Sequence, residues 1–551
     1  MKKFGFEVMG RLPTEIQKQE IGISIAGIEQ GYSQTEHVFL VRDEDQITVY
    51  DRKCDHNGGK LCLSADHAVC PFHGWRLALS SGEYQNVHIK KEPLDYVVED
   101  GELRLTLSKE IPSLPQTSPP PDEQKLTVEF IEHACLIFRS SQFSFATDPW
   151  VVGPAFVSGW WVANATASDW EKSLNQVDFI YISHNHPDHL NVNTLSKVRK
   201  DMVFIVPAFQ SESVRALLNS YGFYNLVEFQ FGQYYRYKET SLNISILKSG
   251  DFRDDSGIYF TYGDFSFLSA VDSNDLNGGR LPVDITMLAT SFAGGASGFP
   301  LCFDTVSEQN KKKMLSRNRE ALKATVRSTI EKVMPAFYLP YAGFFVERAE
   351  RDAYVREHNI KNNVNDFSQM CEGVETLNIN DSDRWHFNSN QLTSKDLMPR
   401  SPNQESPEQW IESNLKNLAV SDAQLERYFL NSDYKDKLIL FLGLTKSDFS
   451  LTPRVFKVDF SSAQVNCEQL KNFNWQAEKE KRNEGLRYLY LRVREDAFSY
   501  LLLNALPWED ISIGFQCRVD RVPDGYNSTF WHYFTNYYIG EKVPSLLLED
   551  A

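Results

Sequence analysis

Val177-Asp178-Phe179-Ile180-Tyr181-Ile182-Ser183 runs straight into His184-Asn185-His186-Pro187-Asp188-His189. The first seven residues read as a buried strand, and the next six set three imidazoles and a carboxylate at its end. Histidine and aspartate are costly to bury unless they are paired or bound to a metal. Strand side chains alternate, so His184 and His186 face the same way. A turn after them aims Asp188 and His189 at a second position a few ångströms off. That is how one short loop can serve two metal ions.

Strands are predicted on both sides of this loop. Upstream lie Leu126-Thr127-Val128-Glu129-Phe130-Ile131, then Glu132-His133-Ala134-Cys135-Leu136-Ile137-Phe138, then Phe145-Ala146-Thr147-Asp148-Pro149-Trp150. Downstream lie residues 202–206, 244–247, 258–262 and 265–271, the last running into Asp272. Leu315, Leu322, Val326, Ile330 and Val333 fall at helical spacing and predict a helix from Glu308 to Met334.

Residues 1 to 110 show short alternating apolar runs separated by Asp and Gly turns, an all-β pattern. Into it fall Cys54-Asp55-His56 and, after thirteen intervening residues, Cys70-Pro71-Phe72-His73-Gly74-Trp75. Two thiolates and two imidazoles on paired loops fit a Rieske 2Fe–2S centre, with Cys54 and Cys70 on one iron and His56 and His73 on the other. Zinc is the rival occupant of such a set. Gly58-Gly59 and His73-Gly74-Trp75 favour the Rieske reading by their likeness to Rieske loops. Five prolines between Ile111 and Asp122 then predict a semi-rigid linker, taken as 111–124.

At 551 residues the chain is too long for one core. A net charge of −17 argues against a sequence-independent grip on nucleic acid or anionic membrane. No apolar run is long enough to span a membrane, and with no leader-like start the expected location is the cytoplasm. No Walker loop or G-x-G-x-x-G follows a strand, so no nucleotide-cofactor domain is expected.

The His184-x-His186-x-Asp188-His189 stretch, with His133 and Asp148-Pro149-Trp150 before it, resembles the metallo-β-lactamase fold over residues 125–360. That resemblance implies that His184 and His186 serve one metal, Asp188 and His189 the other, and Asp272 both. Two of the fold's later histidines are missing here. Asp251 and Glu347 stand near those places as candidate oxygen ligands, and a site richer in oxygen suits iron.

The pairing of the two modules is similar to the CMP-N-acetylneuraminate hydroxylase family. Asp148-Pro149-Trp150-Val151-Val152-Gly153-Pro154-Ala155-Phe156, Asn277-Gly278-Gly279-Arg280-Leu281-Pro282, Pro340-Tyr341-Ala342-Gly343-Phe344-Phe345-Val346-Glu347 and Ile513-Gly514-Phe515-Gln516 carry the likeness nearly end to end. Asp251 departs from it, where histidine is expected.

The resemblance implies a multidomain α/β and β chain. An N-terminal all-β Rieske domain (1–110) precedes an αββα metallo-β-lactamase-like domain (125–360) and a C-terminal α+β extension (361–551), a candidate substrate-binding region. It implies a monooxygenase with a Rieske 2Fe–2S cluster and one or two non-haem irons. It would use O₂, a nucleotide-sugar substrate and an external one-electron donor, either a b-type cytochrome or a ferredoxin with its reductase. Arg280, Arg518 and Arg521 are the candidates for substrate phosphate or carboxylate. Three other readings compete. The same architecture could act on another nucleotide sugar or N-acyl metabolite. A dinuclear zinc hydrolase would leave the Rieske boxes unexplained. An electron-transfer protein would have a silent second site.

Overall fold

The computed structural model describes residues 1–55, 61–64, 66–69, 75–85, 89–116, 124–251 and 253–539. Two mixed sheets of eight strands stack face to face. The first runs, in spatial order, Leu226–Phe229, Val203–Pro207, Phe179–Tyr181, Ser144–Thr147, Cys135–Arg139, Lys125–Glu132, Arg384–Asn388 and Gln391–Asp396. The second runs Phe6–Arg11, Gln233–Tyr237, Leu242–Lys248, Ser256–Tyr262, Phe265–Val271, Met287–Ser291, Phe337–Tyr341 and Glu375–Thr376.

Alternation decides which residues meet between the sheets. Phe179 and Tyr181 join the inter-sheet core, while Ile180 and Ile182 point the other way, into a second core shared with Val214, Leu217 and Leu218 of helix Ser213–Ser220. Across the interface, Phe138 lies 4.9 Å from Phe260 and 4.8 Å from Phe267, ring centre to ring centre. Helix Glu308–Val333 lays Val326, Ile330 and Val333 against the second sheet, completing the αββα layering. Ser307 caps it by accepting from the Asn310 N–H, and Met334 ends it in a left-handed conformation, so the helix falls where its spacing predicts.

Chain outside 125–360 completes this body. Phe6–Arg11 pairs with Gln233–Tyr237 because Phe6 is an apolar plug, its ring 5.1 Å from Phe179 and 4.9 Å from Tyr237. The hairpin Arg384–Asn388/Gln391–Asp396 joins Lys125–Glu132 and buries Trp385 and Phe387.

The N-terminal module consists of small antiparallel sheets with two cores. Strand Val38–Asp43 feeds both: Phe39 packs with Tyr50, Cys54 and Tyr84, and Val38 and Leu40 with Val49, Leu103 and Leu105. Thr14–Ser24 and Glu102–Pro112 form one long ladder in which Thr14 is opposite Pro112. The first part of the expected linker is docked rather than free. Leu114 is buried in the inter-sheet core, and the Pro115 carbonyl accepts from Asn243 Nδ2 and Thr261 Oγ1, each at 2.9 Å. Residues 117–123 lie outside the described residues.

The C-terminal part centres on a five-stranded sheet in which Leu438–Thr445 is buried along its whole length. Trp508 sits at the heart of its core, 4.8 Å from Phe534 and 5.4 Å from Phe498, with Nε1 donating to Tyr428 Oη at 2.8 Å. Replacing Trp508 with alanine should destabilise this region by about 3–5 kcal/mol, since little nearby can refill so large a cavity. The check is the midpoint of its unfolding transition in urea, and a loss below about 1 kcal/mol would contradict the packing described.

Candidate metal centre

The centre forms where strand ends of the two sheets meet. Strand Phe179–Tyr181 passes through Ile182 to Ser183, whose N–H donates to Asp148 Oδ1 at 2.7 Å. The loop then folds back: the His189 and Leu190 N–H groups both donate to the His186 carbonyl, at 3.0 and 2.7 Å. Asn191 pins its exit, capping the next helical turn through Asn193 and Thr194 and donating to the Pro187 carbonyl at 2.8 Å. This winding sets the rings of His184 and His189 4.3 Å apart. From the second sheet comes Asp272, one residue beyond Phe265–Val271, with Oδ2 3.5 Å from His189 Nε2.

Among the described residues two groups of side chains can each close on a cation: His133, Asp188 and His189, and His184, His189 and Asp272. His133 sits in the tight turn between Lys125–Glu132 and Cys135–Arg139, at φ +48°, a backbone conformation uncommon outside glycine. Its Nε2 lies 3.3 Å from Asp188 Oδ2.

The donor set fits a metal. Both ring nitrogens of His133, Oδ1 of Asp188 and Nε2 of His189 are buried without a hydrogen-bond partner. Buried polar atoms are rarely left so, because each forfeits its hydration. Each loop histidine also has one ring nitrogen engaged away from the centre: His184 Nδ1 by Ser183 Oγ at 2.9 Å, His189 Nδ1 by Asp148 Oδ2 at 3.2 Å, and His186 Nε2 by Glu509 Oε2 at 3.1 Å. Outer contacts of this kind aim histidines at a metal.

The electrostatics are those of an acidic pocket. Burial pushes His184 well below its ordinary value, and its two neighbouring imidazoles push the same way. Burial acts likewise on His189, but Asp188 and Asp148 outweigh it and hold the ring well above its ordinary value. His186 is desolvated too, yet Glu509 raises it to about 9. Burial lifts Asp255 to about 6. Carboxylates that drive protons onto neighbouring imidazoles form a site that favours cations.

Other residues singled out in the sequence fall elsewhere. Asp251 is taken up within its own loop, accepting from Arg253 Nε at 2.9 Å, Asn274 Nδ2 at 3.0 Å and Ser249 Oγ at 3.0 Å. Asp255, four residues on, lines the pocket beside His186 and Glu509, with Oδ2 buried and lacking a hydrogen-bond partner. Glu347 pairs with Lys361 Nζ at 2.7 Å and accepts from Asn359 at 2.9 Å, and it belongs to neither cation-closing group.

Arg280 reaches Glu110 at 3.2 Å. Arg518 lies 3.6 Å from Asp304 and stacks 3.8 Å from the Phe449 ring, and Arg521 pairs with Asp524 at 2.9 Å.

Of the four expected cluster ligands, Cys54 is buried in the N-terminal module, while His56, Cys70 and His73 lie outside the described residues. The floor below Cys54 is well tied. Lys91 Nζ donates to the Lys53 carbonyl at 2.7 Å and pairs with Asp51 and Asp55, and Tyr84 Oη donates to Asp55 at 3.0 Å.

His133, Asp148, Asp255 and Glu509 were not singled out from the sequence as ligands or supports. His133 and Asp148 did stand in motifs that carried the fold resemblance. Glu509 had no local signal.

Comparison with known proteins agrees with this architecture. A family model for the Rieske [2Fe-2S] domain matches residues 17–100, and one for a beta-lactamase superfamily domain matches 127–268. The cytidine monophosphate-N-acetylneuraminic acid hydroxylase of Macaca mulatta is 29% identical over 564 residues, covering 95% of this chain and 92% of its own length. The Mus musculus protein of the same name is 27% identical and covers 95% of this chain. That of Sus scrofa is 30% identical over 439 residues, 73% of this chain and 95% of its own length. With that identity spanning nearly the whole of the Sus scrofa protein, the chain belongs to the cytidine monophosphate-N-acetylneuraminic acid hydroxylase family.

Proposed function

We propose that this protein is an O₂-dependent monooxygenase that converts the N-acetyl group of CMP-N-acetylneuraminate to N-glycolyl. The observation that supports it most is the union, in a chain matching the hydroxylases over 95% of its length, of a Rieske module with a buried His/Asp centre.

The reaction consumes one O₂, two electrons and two protons. One oxygen atom enters the methyl C–H bond and the other leaves as water. Side chains alone cannot break so strong a bond, and iron with O₂ supplies that chemistry. In this reading Cys54, His56, Cys70 and His73 hold the cluster that accepts electrons one at a time. His184, His186, Asp188, His189 and Asp272, joined by His133, hold the iron. All but the partly exposed Asp272 are buried, which would limit the access of bulk water to the reacting carbon. Asn185, His186, Arg253, Asp254, Asp255 and Glu509 line a small cleft beside the centre.

A separate one-electron carrier, a b-type cytochrome or a ferredoxin, is required, because the sequence holds no flavin or nicotinamide motif. Among the described residues no helix is long and apolar enough to cross a membrane. Incubating the reduced protein with CMP-N-acetylneuraminate under isotopically labelled O₂ should give a product heavier by one labelled oxygen atom. Unlabelled or hydrolysed product would overturn the assignment. Labelled product from a different N-acyl nucleotide sugar alone would overturn the substrate.

A further inference from the structure

Two of the loop histidines are held from outside the centre by neighbours in the same sandwich, Ser183 for His184 and Asp148 for His189. His186 is held from much further along the chain. Its Nε2 lies 3.1 Å from Oε2 of Glu509, 323 residues on, at the start of the C-terminal helix Glu509–Ile513. Glu509 is itself fixed. Its Oε1 accepts from Tyr526 Oη at 2.9 Å, and its N–H donates to Thr535 Oγ1 at 3.2 Å. The same segment grips the residue between the two histidines, for Asn185 Nδ2 donates to the Thr535 carbonyl at 2.9 Å and to Asn536 Oδ1 at 3.1 Å.

An imidazole that ligates a metal has given up one proton and has one left to place. A carboxylate at Nε2 keeps it there and leaves the lone pair on Nδ1. Nδ1 of His186 lies 3.0 Å from His184 Nε2, so both atoms border the same small space. We propose that Glu509 is a positioning residue of the metal centre. By holding the Nε2–H of His186 it presents Nδ1 as a ligand, and the C-terminal region thereby completes the centre. This rests on the reading of His186 as a ligand.

The test uses the full chain with its cluster, stripped of exchangeable metal and dialysed against buffered cobalt(II). Bound cobalt is counted by elemental analysis, which cluster iron does not disturb. Glu509→Ala should weaken cobalt binding about 10–100-fold, the usual cost of removing such a support. Glu509→Gln keeps an acceptor but not the charge and should show a smaller loss. His186→Ala should lose at least as much as Glu509→Ala. A purely structural Glu509 would lower the melting temperature and leave cobalt affinity where it was.

Unchanged binding in Glu509→Ala beside weakened binding in His186→Ala overturns the inference and spares the metal-centre reading. Unchanged binding in both overturns the reading beneath it. Weakening in Glu509→Ala alone would make the carboxylate a ligand in its own right and end the positioning role. If Glu509→Ala does not fold, as judged by its urea unfolding transition, unchanged cobalt binding in Glu509→Gln overturns the proposal.

Discussion

His189→Ala is expected to strip the metal from the His184–His189 loop and to end hydroxylation, while the EPR signal of the reduced Rieske cluster survives. His189 is the one side chain shared by both cation-closing groups, so its loss breaks both. It also stands between Asp148, 3.2 Å from Nδ1, and Asp188 and Asp272, 3.6 and 3.5 Å from Nε2. Removing it leaves three carboxylates facing one another with no ring between them. Loss of a mere outer support costs about 10–100-fold in metal affinity, so loss of a shared ligand should exceed about 100-fold. Elemental analysis of the variant should find only cluster iron. Full metal retention would remove His189 from the ligand set.

Cys54→Ser should have the opposite signature. Serine oxygen is a poor substitute for thiolate on a 2Fe–2S cluster, so the Rieske signal should vanish and donor-driven turnover should fall below detection. Metal at the His184–His189 loop should stay. The two variants together test whether electron delivery and substrate oxidation are separate in this chain. If Cys54→Ser also emptied the His184–His189 site, the separation would be wrong. A hydrolytic enzyme would lose nothing with the cluster, so retained turnover in Cys54→Ser would exclude the oxygenase reading.

What could be read from the sequence follows how local each signal is. The His184–His189 loop was legible because one turn supplies most of its groups. The strands and the helix Glu308–Val333 were legible because burial imposes a period of 2 or 3.6. Asp251 drew attention at the position where histidine was expected, but the loop spends its carboxylate on Arg253 and Asn274. Asp254 and Asp255 are the carboxylates of this stretch that reach the pocket.

Glu509 was illegible because the fold brings it in from more than three hundred residues along the chain, while His133 stood in the resemblance without being read as a ligand. Glu347 and the three arginines show the reverse limit. Sequence reveals a charge but not its partner, and each of these is matched by an opposite charge nearby. The strand Phe6–Arg11 was missed for a similar reason, since its pairing depends on chain more than two hundred residues away.

The ladder joining Thr14–Ser24 to Glu102–Pro112 has a consequence for how electrons could travel. Because Thr14 is opposite Pro112, the N-terminal module leaves the sandwich and returns to it at the same spot, as a domain inserted after the first strand. Both stems are anchored: Leu12 N–H donates to the Gly232 carbonyl at 2.9 Å, and Ser113 N–H to the Pro13 carbonyl at 2.9 Å. A module on one covalent thread can swing like a pendulum between a docking partner and a distant acceptor. One hung on two adjacent, hydrogen-bonded stems can twist but not sweep. In the proposed reaction, electrons passing from this module to the sandwich would therefore cross a span that the two stems hold nearly constant.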